Sequence, residues 1–337
     1  MAIQPIASGL LLVLAGASAL GDSTPRYAVA PETALKHVYT SSTKLESEPA
    51  QMFLDGKEIP KEGHGELRLR VDDSRSISFT DTVAAVADGR PTRFSREFGE
   101  LENSATESVV AIPPEGEEEV KASTRERASA LSGKTVRFTW DGAKEEYARA
   151  FEEKGPDEDL LAGLQADAQW LPLLEDGPRE KGAAFDLEPA LFERVQYPAG
   201  ELHWKVEGKE NDPVSKAITE QLSENLDGKA KATWLGAREV DGRELGVFAV
   251  EAQLKSNAEA EAGEGGETRK VELELEYEGE ILWDLAGAHL AGYTLTADVR
   301  SVLSTTRTVE SPKGSVEVRQ VFDLRGKAAH RLTVTKE

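Results

Sequence analysis

From Lys270 to Glu278 the chain alternates without a break: Val271, Leu273, Leu275 and Tyr277 fall on one face, and Lys270, Glu272, Glu274, Glu276 and Glu278 on the other. A period of two with one charged face predicts a half-buried antiparallel strand, because successive side chains in extended backbone point to opposite sides of a sheet. The pattern recurs at Leu67, Leu69 and Val71 against Glu66, Arg68 and Arg70, and at Ile77 and Phe79 against Ser76, Ser78 and Thr80. Val136, Phe138 and Trp140 against Thr135, Arg137 and Thr139 give a further strand. Runs this regular do not belong to an all-parallel sheet covered on both faces.

Turn chemistry separates these runs. Asp55-Gly56, Asp88-Gly89, Asp141-Gly142 and Asp241-Gly242 supply the residues that tolerate tight reversals. A longer phrase occurs twice, thirty-nine residues apart, as Trp283-Asp284-Leu285-Ala286-Gly287 and Phe322-Asp323-Leu324-Arg325-Gly326. Each reads as a hairpin corner, with Asp accepting from turn N–H groups and Gly free to take a positive φ. Tyr293 to Val299 and Arg331 to Val334 are the expected return strands.

Two stretches change period. Asp157 as cap, Glu158 and Asp159 in the first turn, and a stripe of Leu160, Leu161, Leu164, Ala168 and Leu171 predict a helix that stops at Pro172. Asp212, Pro213 and the stripe Val214, Ile218 and Leu222 predict a second, to about Asn225, with Gly228 at its C-terminal cap. The expected fold class is mainly β (α+β): an antiparallel curved sheet or sheets, or a half-barrel, with two or three packed amphipathic helices. The chain divides into a signal peptide (1–19), a linker (20–33), an N-terminal β-rich lobe (34–150), a helix-containing connecting region (151–228) and a C-terminal antiparallel meander (229–337). One long sheet and two lobes both remain open. Asn257 to Glu267, acidic and of low complexity, reads as a floppy hairpin tip.

Ile6 to Ala19 is apolar and ends in Ala17-Ser18-Ala19, the pattern of a secretory signal, although no Lys or Arg precedes it. Export to the periplasm or the outside is therefore expected. Beyond the first twenty residues no apolar run approaches the roughly 20 residues of a spanning helix, so no membrane span is expected in the mature chain.

Composition narrows the chemistry. The chain has no Cys, which removes disulfides, thiolate metal sites and cysteine nucleophiles. With 62 acidic against 40 basic residues and a net charge of −22, nucleic acid is excluded as an expected partner. No Ser sits in a strand-to-helix elbow, and no glycine loop is placed to cradle phosphate. The five histidines are His37, His64, His203, His289 and His330. His289 and His330 follow the repeated Asp by five and seven residues, so His289, His330, Asp284 and Asp323 are the candidate metal ligands. The expectation is nevertheless no metal, no cofactor and no catalytic residue, because half-exposed strand histidines are ordinarily surface groups.

Trp170-Leu171-Pro172, Lys181-Gly182-Ala183-Ala184-Phe185 and Gly279 to Leu290 resemble a loose group of exported bacterial β-rich proteins over residues 130 to 330. The group has no established activity, so the resemblance implies a fold and a compartment and no catalytic residue. The function expected from the whole reading is a soluble, non-catalytic binding or interaction module of the envelope. It would enclose an apolar pocket for a small apolar ligand or meet an envelope protein partner. The alternative is a hydrolase using a carboxylate pair or a His/Asp metal site.

Overall fold

The computed structural model describes residues 25–61, 65–113, 115–166, 170–174, 180–206, 213–262, 267–311 and 314–337. The signal peptide expected at 1–19, His64 and Asp212 lie outside them.

Among the described residues fifteen strands form one antiparallel sheet. In chain order they are β1 Thr33–Ser47, β2 Gln51–Leu54, β3 Lys57–Glu58, β4 Glu66–Ala87, β5 Arg90–Ile112, β6 Glu119–Ser129, β7 Thr135–Asp141 and β8 Glu146–Phe151. They continue with β9 Ala184–Leu187, β10 Trp204–Val206, β11 Asp227–Val240, β12 Arg243–Ala262, β13 Glu267–Asp284, β14 His289–Ser311 and β15 Gly314–Lys336. Two helices are present among the described residues, α1 Leu191–Gln196 and α2 Pro213–Glu224. The spatial order is β10-β6-β5-β4-β1-β15-β14-β13-β12-β11-β9, with β2 and β3 appended to β15, and β7 and β8 to β5. β1 closes the N-terminal strands onto the last one, from Leu35 opposite Lys336 to Ser47 opposite Leu324. Of the two arrangements the sequence left open, a single sheet is observed.

The segment that connects the halves of the sheet packs on one of its faces, here called the concave face. Gln165 meets Arg96 on β5, Val195 meets Tyr39 on β1, Phe192 meets Tyr277 on β13, Trp170 meets Tyr293 on β14 and Phe185 meets Phe248 on β12. Small inward residues flank Tyr277 in the row Ala252, Tyr277, Ala297, Ala328 and Thr43, which leaves room for its ring beside Phe192. Gly326 shows how tight the wall is: a Cβ there would stand 1.8 Å from the Lys44 carbonyl oxygen. We expect Gly326→Ala to cost about 1–3 kcal/mol by forcing β1 and β15 apart, read as a fall in urea midpoint with the m-value unchanged.

Four local expectations are corrected. The Trp283 phrase is a corner: Asp284 Oδ1 accepts from Gly287 N–H at 2.6 Å and Ala288 takes φ 54°. The Phe322 phrase lies inside β15, because Asp323 is paired outward with Arg300 at 3.0 Å and no residue from Phe322 to Gly326 takes a positive φ. The helix expected after Asp157 is only a 3-10 turn, Glu158–Leu161, capped by Asp157. Gly163, at φ 72°, turns the chain so that Leu164 pairs with Gly200, and a 3-10 turn at Leu171–Leu174 follows. Finally, β12 runs to Ala262 as regular strand paired with β13, so most of the expected floppy tip is sheet. Gly228 is not a cap but part of β11.

Candidate functional site

The concave face changes character along the strands. Near one end, here called proximal, it is filled: Leu35, Tyr39, Ile77, Phe79, Ile281 and Leu295 are each at most 2% exposed. Within this core Arg96 lies between aromatic rings, its guanidinium 4.1 Å from the Phe79 centroid. It makes a two-point pair with Asp81 (2.7 and 2.8 Å) and donates to the Gln165 carbonyl at 2.8 Å. His37 stacks on Phe79 with Nε2 3.7 Å from Asp81. Burial pushes its pKa down to about 4, with Asp81 opposing and Arg96 assisting.

Halfway along, a polar row crosses the sheet. Register places Asn103, Arg75, Ser41 and His330 side by side on β5, β4, β1 and β15. Arg75 pairs with Asp73 at 3.2 Å and donates to the Gln196 carbonyl at 3.0 Å, so it ties the end of α1 to the sheet. The Tyr39 hydroxyl donates to the Val195 carbonyl at 2.9 Å. His330 Nδ1, 3.0 Å from that hydroxyl, must then carry its own proton and donate, which leaves Nε2 a bare, buried acceptor. Burial lowers this pKa to about 4 as well, and the charge of Arg75 adds to the effect.

Beyond the row the concave face is apolar and incompletely covered. Three successive registers run Val71-Leu45-Gly326-Val299-Leu275, then Leu69-Ser47-Leu324-Ser301-Leu273, then Leu67, Phe322-Leu303-Val271. Leu45, Leu67, Leu69, Val71, Val271, Leu273, Leu303 and Phe322 are only half-buried. Of the six exposed large apolar residues among those described, Leu54, Val109 and Val309 lie on this distal face. The result is an open trough. α2 covers its β12 side, where the Leu222 carbonyl accepts from Ser256 Oγ at 2.6 Å, and Gln221 and Asn225 bond the backbone at Glu259 and Asn257. The helix has no fully buried residue, so its stripe of Val214, Ile218 and Leu222 remains half-open along the trough edge. Alternation alone could not reveal the trough, since Val271 and Leu273 follow the same rule as the sealed Leu275 and Tyr277.

The candidate ligands named by the sequence separate. Asp284 and His289 meet across the first step of the β13–β14 hairpin, around Gly287, with His289 Nδ1 donating to the Leu290 carbonyl at 2.7 Å. His330 stands on another strand beside Tyr39, opposite Leu295, and Asp323 is a partly exposed partner of Arg300 and Arg325. Among the described residues no group of three or more His, Asp or Glu is placed to share a metal ion. A depression of about 670 Å³ lies on the opposite, convex face, lined by Lys229, Lys231, Lys327, Glu251, Glu276 and Asp298. Four of these neutralise one another in pairs, Lys231 with Glu251 at 2.8 Å and Lys327 with Asp298 at 3.0 Å.

No protein-family model and no curated protein matches the chain. Among solved structures, OccK7 (OpdD) of Pseudomonas aeruginosa is similar at 8% identity over 90% of this chain and 99% of its own, with a TM-score of 0.17. An outer membrane channel from Pseudomonas putida F1 gives 8%, 92%, 98% and 0.15, and OccK5 (OpdH) of P. aeruginosa 8%, 92%, 100% and 0.11. At these scores nothing of their sites is carried over.

The expectation of a soluble binding module, free in the periplasm or outside and closed around an apolar pocket, is corrected by these findings. The depression of about 670 Å³ is charged and lies on the convex face, and the apolar face is an open trough. The expectation of no membrane span is likewise withdrawn. No described helix is long and apolar enough to cross a membrane, but that says nothing of strands. β4, β5, β14 and β15 have 22 to 23 residues, against the roughly 9–11 that a tilted strand needs to span a bilayer.

Proposed function

We propose that this is an exported protein that works against a membrane of the cell envelope, laying acyl chains of membrane lipid along the distal trough. The observation that carries this reading is the step in burial along one face of the same strands, from sealed Tyr39 and Leu295 to half-open Leu303 and Phe322. Contiguous apolar surface of this kind is costly in water and marks a contact site. The trough is a membrane-facing surface and encloses nothing. α2 supplies a second apolar wall, as an amphipathic helix does at an interface. The apolar segment at Ile6 to Ala19 supports export.

The test is transfer of a pyrene-labelled phospholipid from phosphatidylethanolamine vesicles to the protein. The native chain should acquire the label, and L303E/F322E should lose about tenfold or more of the affinity, since a carboxylate in the trough must be desolvated by an acyl chain. Circular dichroism should show the variant folded. Absence of transfer to the native chain refutes the reading.

A further inference from the structure

We infer that the lipid taken by the trough carries an anionic head, held on the β6 side by Arg127 beside Asn103, with Lys121 farther along the strand adding to the positive field; this rests on the acyl-chain reading above. Register puts the side chains of Lys121, Arg125 and Arg127 on the concave face, level with Val109, Ala105 and Asn103 of β5. They form a basic wall opposite α2, in a chain whose net charge is −22. Arg125 is already engaged by Glu107 at 3.4 Å, and Arg75 by Asp73 at 3.2 Å. Among the described residues Lys121 and Arg127 have no ion-pair partner, so the wall keeps two uncommitted positive charges beside an apolar floor.

Asn103 adds a second requirement. Its Nδ2 donates to Asp73 and to the Ser74 carbonyl, which orients the amide and leaves Oδ1 a buried acceptor without a partner among the described residues. Asn103 is 2% exposed and adjoins Arg127 in the register. A phosphate for Arg127 and a hydroxyl for the adjoining Asn103 Oδ1 satisfy both, which describes the head of a phosphoglyceride. The carboxylates of β13, Glu272 to Glu278, lie on the other face of the sheet. At physiological salt their repulsion is screened over about 8 Å, so the local wall decides what binds on the concave side.

The experiment compares 1-oleoyl lysophosphatidic acid with monoolein, which shares its chain and glycerol but lacks the phosphate, by calorimetric titration below their aggregation limits. The native protein should hold the phosphate ester about tenfold tighter, a preference lost in high salt. K121Q/R127Q should bring the phosphate ester down to the level of monoolein and leave monoolein unchanged. Equal binding of the two probes by the native chain overturns the head assignment and leaves the acyl-chain reading standing. Binding of neither probe refutes both. Inorganic phosphate that binds alone and displaces the lipid would mark a free-anion site and overturn the proposal.

Discussion

Replacing Asp81 by Asn should cost about 3–5 kcal/mol, because it leaves the Arg96 guanidinium charged, buried and without its counter-ion. Asp81 and Arg96 are both 0% exposed, and the pair holds the proximal core to the connecting segment through the Gln165 carbonyl. Aromatic rings surround the guanidinium and cannot replace a carboxylate. Removing both charges is a different experiment. D81L/R96M should recover most of the loss, since well-packed apolar replacements of a buried pair are often neutral. Urea unfolding of the native chain, the single variant and the double variant measures this directly. A D81N midpoint within error of the native value would show that the pair contributes nothing to holding the core.

Acid should destabilise the protein well before its carboxylates titrate. His37 and His330 both have their pKa lowered from 6.5 to about 4 by burial, and His289 is lowered in the same direction. Above pH 6.5 the rings are neutral in folded and unfolded chains alike, and full stability is present. Between pH 6.5 and 4 the unfolded chain binds protons that the folded one refuses, so stability falls with pH by roughly 3 kcal/mol for each of His37 and His330. Asp323, whose pKa is lowered chiefly by its Arg300 hydrogen bonds, acts only at the acid end of this range and below. Denaturant melts at pH 7.5, 6 and 4.5 should show the slope, and H330Q should remove about one proton of it. Stability independent of pH across this window would refute the assignment of neutral, buried rings.

Much of the architecture was legible because it depends on local rules. Asp241-Gly242 takes φ 50° and 74° and Asp88-Gly89 φ 50° and 70°, the left-handed pairs a two-residue hairpin demands. α2 begins at Pro213, as its stripe and first-turn proline require. The repeated aromatic-Asp phrase misled because the chemistry at Asp323 is non-local: Arg300, from the neighbouring strand, takes up the carboxylate that a turn would have used. The expected first helix failed for a similar reason, since Leu160 and Leu164 bury their side chains equally well when Gly163 turns the backbone.

By itself the sequence determined which residues could share a face, where the chain reverses, the absence of thiol chemistry and the overall negative charge, all of which depend on residue type and spacing. Only the tertiary structure decided which lengths of those faces are sealed, because the connecting segment covers the strands as far as Arg75 and His330 and stops there. It also set Lys121 and Arg127 beside the uncovered part through pairing with β5, and cross-strand register is not encoded in the spacing of any single strand.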